Sequence, residues 1–277
     1  MTTVLALGGH LLAHEGTGDL RDAVAALGDD RLVLTHGNGP QVGAELLRDP
    51  SAAVHVAVAR TQGELGTQLA RELGAVAVVT HVVVADDPHA FARPTKPIGP
   101  EYPEDEAREL ARAHGWSVRD DPGRGFRRVV ASPAPVSVVE VEAVRALLRA
   151  GTLVVACGGG GIPLVERRGR LEAVNAVVDK DRASALLGAQ LGAERLVVLT
   201  DADAVYRDWG EPSQERLPAL TPAEADALLP ALPEGSMGPK VEACAAFVRA
   251  TGGEALITSA AALRDALRGD AGTRVAA

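Results

Sequence analysis

The sequence predicts an α/β protein whose mainly parallel sheet is covered by helices on both faces. Two patterns carry that prediction. Short apolar runs ending in glycine or polar punctuation recur along the chain, and Ala/Leu/Arg/Glu-rich stretches separate them. Strands alternating with helical stretches argue for a parallel sheet between two helical layers. Composition agrees. Only 3% of residues are aromatic, so the core is built from Ala, Val and Leu, and small or β-branched residues in short runs suit strands buried on both faces.

The elements follow in order. Val4–Leu7 before Gly8-Gly9 reads as the first strand, Leu32–Leu34 before Thr35-His36-Gly37 as the second, and Val76–Val79 before Thr80 as the next. Further runs are Leu153–Ala156 before Cys157-Gly158, Leu196–Leu199 before Thr200-Asp201, and Ala255–Ile257 before Thr258-Ser259. Glu140–Leu148, Ala183–Leu191 and Val241–Arg249 read as helices. In such sheets ligands gather beyond the carboxyl ends of the strands, where the glycine and polar clusters fall. The segment 86–135 breaks the alternation with eight prolines from Pro88 to Pro135. It reads as an inserted small subdomain or lid, with Val129-Val130 offering strand residues.

The 277 residues carry a formal charge of −9, with no basic patch interleaved with aromatics, so nucleic-acid binding is disfavoured. An anionic substrate then needs local cations. Two widely separated cysteines, Cys157 and Cys244, make no disulfide framework and imply a reducing compartment. Cys157, in an apolar run, reads as a buried core thiol. No apolar run is long enough to span a bilayer, and no leader peptide is evident, so a cytoplasmic location is expected.

Of 28 basic residues only three are lysine, Lys96, Lys180 and Lys240, leaving 28 − 3 = 25 arginines. A compact ammonium can follow a moving phosphoryl group where a planar guanidinium cannot. The contexts sharpen the point. Lys96 lies between Pro94 and Pro97 on a stiffened backbone. Lys180 stands between Asp179 and Asp181. Lys240 follows Gly235-Ser236-Met237-Gly238-Pro239 at the start of a helical stretch, where an anion is well received. Four glycine-rich turns, at Gly8-Gly9-His10, Gly37-Asn38-Gly39, Gly158–Gly161 and Gly235–Gly238, let backbone N–H groups approach phosphate oxygens. None matches the P-loop pattern or a well-placed dinucleotide fingerprint. The residues point to phosphate chemistry on neither common nucleotide framework.

These motifs together resemble carbamate kinase, a branch of the amino acid kinase superfamily. The resemblance rests on Ala6–Gly9, Thr35–Gly43, Thr61-Gln62-Gly63, Pro94–Pro100 and Gly123–Val130. It continues through Gly158–Pro163, Val178–Asp181, Leu199–Tyr206 and Gly235–Lys240. The motifs occur in family order over nearly the whole chain. Relatives with other acceptors commonly carry a lysine on the first strand, whereas Val4–Leu7 has none and Lys96 is present, as in the carbamate kinase branch.

The resemblance implies the amino-acid-kinase fold: a three-layer αβα sandwich with a mainly parallel open sheet, plus a small protruding subdomain at 86–135. It implies one domain over 1–277, an acceptor-binding half at 1–150 and a nucleotide-binding half at 151–277. It implies reversible, Mg²⁺-dependent transfer between ATP plus carbamate and ADP plus carbamoyl phosphate, in a homodimer, often in arginine catabolism. Lys96 and Lys180 would meet the transferring phosphoryl group and Lys240 the nucleotide phosphates. Asp181 and Asp179 would orient lysines, Asp179 on the nucleotide side. Gly8, Gly9, His10, Gly37, Asn38, Gly39, Gly159 and Gly160 would cradle acceptor and phosphate. Thr200, Asp201, Asp203, Val205, Tyr206 and Met237 would face the nucleotide. No general base is needed for an acceptor that is already an anion, and His36 is given a structural role.

Two departures stand out. His10 replaces the family asparagine after the glycine pair, and the segments 10–31 and 46–60 are short for the family. They leave open a kinase of this fold with a different carboxylate or carbamate-like acceptor. A non-catalytic nucleotide sensor is disfavoured by the retained lysines, since a sensor has no transition state to stabilise.

Overall fold

The computed structural model describes residues 1–8, 17–121, 125–232 and 236–277. Strands β1 (Thr2–Leu7) and β2 (Arg31–His36) flank helix α1 (Thr17–Ala26), and helices α2 (Gly39–Arg48) and α3 (Val54–Leu73) follow. Next come β3 (Val76–Ala77), β4 (His81–Val84), α4 (Pro88–Ala92), β5 (Lys96–Tyr102), α5 (Glu104–His114), β6 (Ser117–Asp121), β7 (Gly125–Val130) and β8 (Pro135–Val138). Then come α6 (Val141–Arg149), β9 (Val154–Val155), β10 (Ile162–Arg167), β11 (Arg170–Ala173), α7 (Lys180–Leu191), β12 (Arg195–Leu199), β13 (Val205–Arg207) and β14 (Glu215–Leu217). The chain closes with β15 (Ala219–Leu220), α8 (Pro222–Leu228), α9 (Met237–Thr251), β16 (Glu254–Thr258), α10 (Leu263–Arg268) and β17 (Thr273–Val275).

Eight strands form the main sheet in the order β15-β17-β16-β12-β1-β2-β9-β3. All neighbours are parallel except β16 and β17. The period-two alternation of a strand sorts its side chains into two cores. Val4, Ala6, Val33, Leu196, Val198 and Ile257 enter one, shared with α7 and α9. Leu5, Leu7, Leu34, Val197, Leu199 and Leu256 enter the other, shared with α1 and α10. Every residue of β1 is buried, as both-face coverage requires. The result is the three-layer αβα sandwich expected from the resemblance.

Three smaller sheets are found among the remaining described residues. β11-β10-β4-β8 forms one, β5-β7-β6 an antiparallel second, and β13-β14 a hairpin. The four-stranded sheet is not foreseen by the sequence pattern. Its strand β8 opens on Pro135 at the sheet edge, where a missing N–H costs no ladder bond. The expected strand Val76–Val79 is only Val76–Ala77, both exposed, because it lies at the open edge of the main sheet beside β9. Pro239 lies inside the first turn of α9 rather than ahead of the helix.

The three-stranded sheet carries Lys96 and is held against the body by a close backbone approach. A Cβ placed on Gly43 of α2 would sit 1.9 Å from Gly99 Cα in β5, and Gly99 itself has φ +74°. Only glycine at position 43 lets α2 and β5 touch in this way. Nearby, Val42, Leu46, Val54, Ile98, Val130 and Val177 close a third apolar cluster.

Candidate active site

The site is built where β1, β2 and β9 end and α7 begins. Asp179 is the N-cap of α7: its Oδ1 accepts from the backbone N–H of Asp181 at 2.9 Å and of Arg182 at 3.1 Å. An aspartate here satisfies two otherwise unpaired donors and favours the helix dipole. Gly192 in the left-handed region ends the helix. Gly188 lets α7 lie close on α9, since a Cβ there would be 2.8 Å from Phe247.

All three lysines converge on this helix start. Lys96 Nζ donates to Asp179 Oδ2 at 2.5 Å. Lys180 Nζ donates to the Leu7 carbonyl at 2.9 Å, where β1 ends, and lies 3.3 Å from Asp181 Oδ1. Lys240 Nζ donates to Asp181 Oδ2 at 3.3 Å and to the Ser236 carbonyl at 3.1 Å. Residues separated widely in sequence thus form two adjoining ion-pair groups, Lys96–Asp179 and Lys180–Asp181–Lys240, in which three ammoniums face two buried carboxylates. The surplus is one positive charge, added to the partial positive end of α7. Asp181 Oδ1 is buried and meets Lys180 Nζ at 3.3 Å as an ion pair rather than a hydrogen bond.

Burial tunes these groups. Burial alone would raise Asp179, but the Lys96 charge and hydrogen bond, the Arg182 N–H and the Lys240 charge outweigh it. Its carboxyl is held well below the usual carboxylate range. Burial pushes Lys180 down, opposed by Asp181 and aided by Lys240. An arriving anion would favour its charged form. His36 is fully buried, and burial is the main cause of its fall from 6.5 to about 4. The hydrogen bond to the Gly37 carbonyl opposes that fall and the Lys180 charge adds to it. His36 is therefore neutral near pH 7, in keeping with a structural role.

The glycine turns pack around the same point. Gly37 N donates to the Leu7 carbonyl at 3.4 Å, so one backbone oxygen receives both Gly37 and Lys180. A Cβ on Gly8 would meet the Leu199 carbonyl at 3.1 Å, and one on Gly39 the Pro97 carbonyl at 3.5 Å. Gly159 and Gly160 are buried with φ +64° and +83°; a Cβ would strike Asn38 at 2.0 Å and the Val178 carbonyl at 2.2 Å respectively. Those two glycines thus clamp Asn38 and the segment leading into α7. Gly9 and His10 lie outside the described residues.

On the other flank, Thr200 N donates to the Thr258 carbonyl at 3.0 Å, tying the ends of β12 and β16. Asp201 and Asp203 are exposed, and the Tyr206 hydroxyl donates to Asp203 at 3.0 Å. Met237 begins α9 and packs partly on the larger core. Val205 differs from the expectation of a nucleotide-facing side chain. It is wholly buried in the core, with its N–H donated to Thr273 Oγ1 at 2.8 Å.

Polar residues to which the sequence reading gave no supporting task hold the site in place. Asn38 Nδ2 donates to Thr61 Oγ1 at 2.9 Å. Gln62 accepts from Thr80 N at 2.5 Å and donates to the Gly158 carbonyl at 3.0 Å. Thr35 and Ser184 hydroxyls meet at 2.6 Å between β2 and α7. Their signal is a polar residue within an otherwise apolar buried face. Among the described residues no three His, Cys, Asp or Glu side chains are grouped to hold a metal ion, and no helix is long and apolar enough to cross a membrane.

Comparison with known proteins agrees with this geometry. The model of the amino acid kinase family matches residues 1–259. A carbamate kinase of Halobacterium salinarum is 42% identical over 299 aligned positions, spanning 99% of this chain and 97% of its own. The structure of carbamate kinase from Giardia lamblia bound to citric acid superposes with a TM-score of 0.90 at 35% identity, covering 99% of this chain and 98% of that one. The same enzyme bound to AMP-PNP gives 0.84 at 34% identity, with the same coverage. Likeness along the full length of both partners, added to the lysine cluster at the sheet's carboxyl edge, places this chain in the amino acid kinase family, among the carbamate kinases.

Proposed function

We propose that this chain is an ATP-dependent phosphotransferase that interconverts ATP plus carbamate with ADP plus carbamoyl phosphate. The observation that carries the reading is the convergence of Lys96, Lys180 and Lys240 on the N-terminus of α7 through Asp179 and Asp181. In-line phosphoryl transfer needs positioning and neutralisation of charge more than covalent participation by the protein. Lys96 and Lys180 meet the transferring phosphoryl group, and Lys240 holds the nucleotide phosphates. Asp179 and Asp181 set the lysine positions, and the Gly8, Gly37, Asn38 and Gly39 backbone cradles the acceptor end together with Gly9 and His10. Thr200, Asp201, Asp203, Tyr206 and Met237 line the nucleotide side. The acceptor half is 1–150, with 86–135 as a covering subdomain, and the nucleotide half is 151–277.

Both buried carboxylates face ammoniums, and Asp181, which keeps one oxygen without a hydrogen bond, is the residue that would help hold a nucleotide-borne Mg²⁺. When bound, it neutralises phosphate charge. A homodimer, a cytoplasmic setting and service in carbamoyl catabolism such as arginine breakdown complete the proposal.

The test is ATP formation from ADP and carbamoyl phosphate with Mg²⁺. Brisk turnover that Lys180→Ala abolishes supports the reading; wild-type protein that binds ADP without turnover sinks it. A second reading, transfer to another small carboxylate, is favoured by His10 standing where the family has asparagine, together with the short segments 10–31 and 46–60. Carbamoyl phosphate turnover recovered only in His10→Asn would select it.

A further inference from the structure

Outside the lysine cluster, a cavity of about 300 Å³ lies between the three-stranded sheet and the start of α3. Among the described residues none of the three lysines lines it, and none of its lining residues is acidic, although the whole chain carries −9. Its one charged side chain among the described residues is Arg128, whose guanidinium lies over the Trp116 ring at 4.7 Å from the centroid. Among the described residues Arg128 has no carboxylate within ion-pair distance, unlike Arg127, which meets Asp121 at 3.2 Å. Burial is the main influence on Arg128 and lowers it; carboxylate partners raise Arg60 and Arg167. A half-buried guanidinium without a counter-ion has a standing electrostatic reason to take one.

The rest of the wall fits an anion with an apolar body. The 20-residue helix α3 begins here with no acidic residue in its first turn, and the N–H of its first residue, Val54, is already taken by Asn175. Asn175 accepts from Val54 N at 3.0 Å through its oxygen, which leaves its amide nitrogen as a donor. Phe91, Pro94 and Val129 supply apolar surface. The cavity also touches the support of Lys96: Pro94 and Val130 line it, and Thr95 N donates to the Val130 carbonyl at 3.1 Å. The volume is at the lower end of small-molecule sites.

We propose that this cavity binds a small carboxylate with an apolar tail, its carboxylate on Arg128 and the Asn175 amide nitrogen and its tail against Phe91, Pro94 and Val129. The reading stands independently of the reaction proposed above. Trp116 is one of two tryptophans, so Trp209→Phe makes it the sole tryptophan reporter under tryptophan-selective excitation. Hexanoate is titrated into that variant, with acetate and inorganic phosphate as comparisons. The expected result is a saturable Trp116 response to hexanoate, tighter than to either comparison, and weakened at least about tenfold by Arg128→Met. Ser117→Glu, at an exposed position on the rim, gives Arg128 a local carboxylate and is expected to weaken hexanoate similarly; it carries the test should Arg128→Met fail to fold. Absence of a saturable response overturns the proposal. So does acetate or phosphate binding as tightly, affinity indifferent to both variants, or a response lost in Lys180→Ala, which would move the ligand to the lysine cluster.

Discussion

Replacing Asp179 by asparagine isolates the charge that organises the lysine cluster. The change is nearly isosteric, and asparagine caps helices well, so the bonds from Asp181 N and Arg182 N survive. What disappears is the negative charge facing Lys96 Nζ at 2.5 Å. Stranding a fully buried charge costs about 3–5 kcal/mol. The Lys96 side chain is 28% exposed and can turn to water, so the stability loss is smaller, about 1–2 kcal/mol. Catalysis loses more, because an untethered ammonium must be ordered during each turnover. Removal of one preorganised donor costs about 10²–10³ in kcat, or about 2.7–4 kcal/mol. The KM for ADP stays near wild type, since Lys240 keeps its bonds to Asp181 and the Ser236 carbonyl. Initial rates of ATP formation from carbamoyl phosphate, read by luciferase, give kcat and KM, and a urea midpoint gives stability. A folded variant with kcat within about threefold of wild type refutes the reasoning.

Three further outcomes are expected. His36 has its pKa lowered from 6.5 to about 4, so the folded state favours the neutral ring; the stability this provides is complete above pH 6.5 and is lost as pH falls through 4. The total is about 3 kcal/mol, and urea midpoints of His36→Asn should lack that slope; superimposable profiles for variant and wild type contradict it. Gly43→Ala forces a methyl into the Gly99 backbone, costing about 1–3 kcal/mol and lowering activity by shifting the strand that carries Lys96. Unchanged stability would mean that α2 and β5 part freely. Cys157 and Cys244 are wholly buried and burial pushes both thiols up, so a thiol reagent should modify native protein only at the rate of unfolding. Stoichiometric reaction within minutes would show an opening the fold does not contain.

The parts of the fold that were legible in sequence are those with a local cause. β1 and β12 read as strands because buried parallel strands are continuous apolar runs, and α7 reads as a helix over Ala183–Leu191 from its composition, while its first turn from Lys180 and its caps Asp179 and Gly192 came only with the structure. The second sheet was not legible. His81–Val84 directly follows the Val76–Val79 run, and nothing local shows that the first strand stops at Ala77 and the next joins β10. The lysines could be picked out by their rarity and flanking residues. Their pairing could not: sequence suggested that Asp179 and Asp181 steady their neighbour Lys180, whereas Asp179 holds Lys96 and Asp181 is shared with Lys240. Long-range partners are set by the crossover of strands, which no window of sequence reports. Gln62 and Thr61 were quoted in a motif but given no task, because a buried amide serving two loops looks like any polar helix residue until its partners are known.

The way Lys96 is mounted has a thermodynamic consequence. Lys180 and Lys240 belong to helices sealed into the main core, while Lys96 belongs to a separate three-stranded sheet that meets α2 at a pair of glycines. Such a sheet can open as its own cooperative unit at less cost than global unfolding. Amide hydrogens of β5 and β7 should then exchange faster than those of β1 and β12 in native buffer, and an anion that draws Lys96 and Lys180 together should slow them. The small sheet would thus report occupancy through its protection from exchange, while the eight-stranded sheet beneath it stays silent.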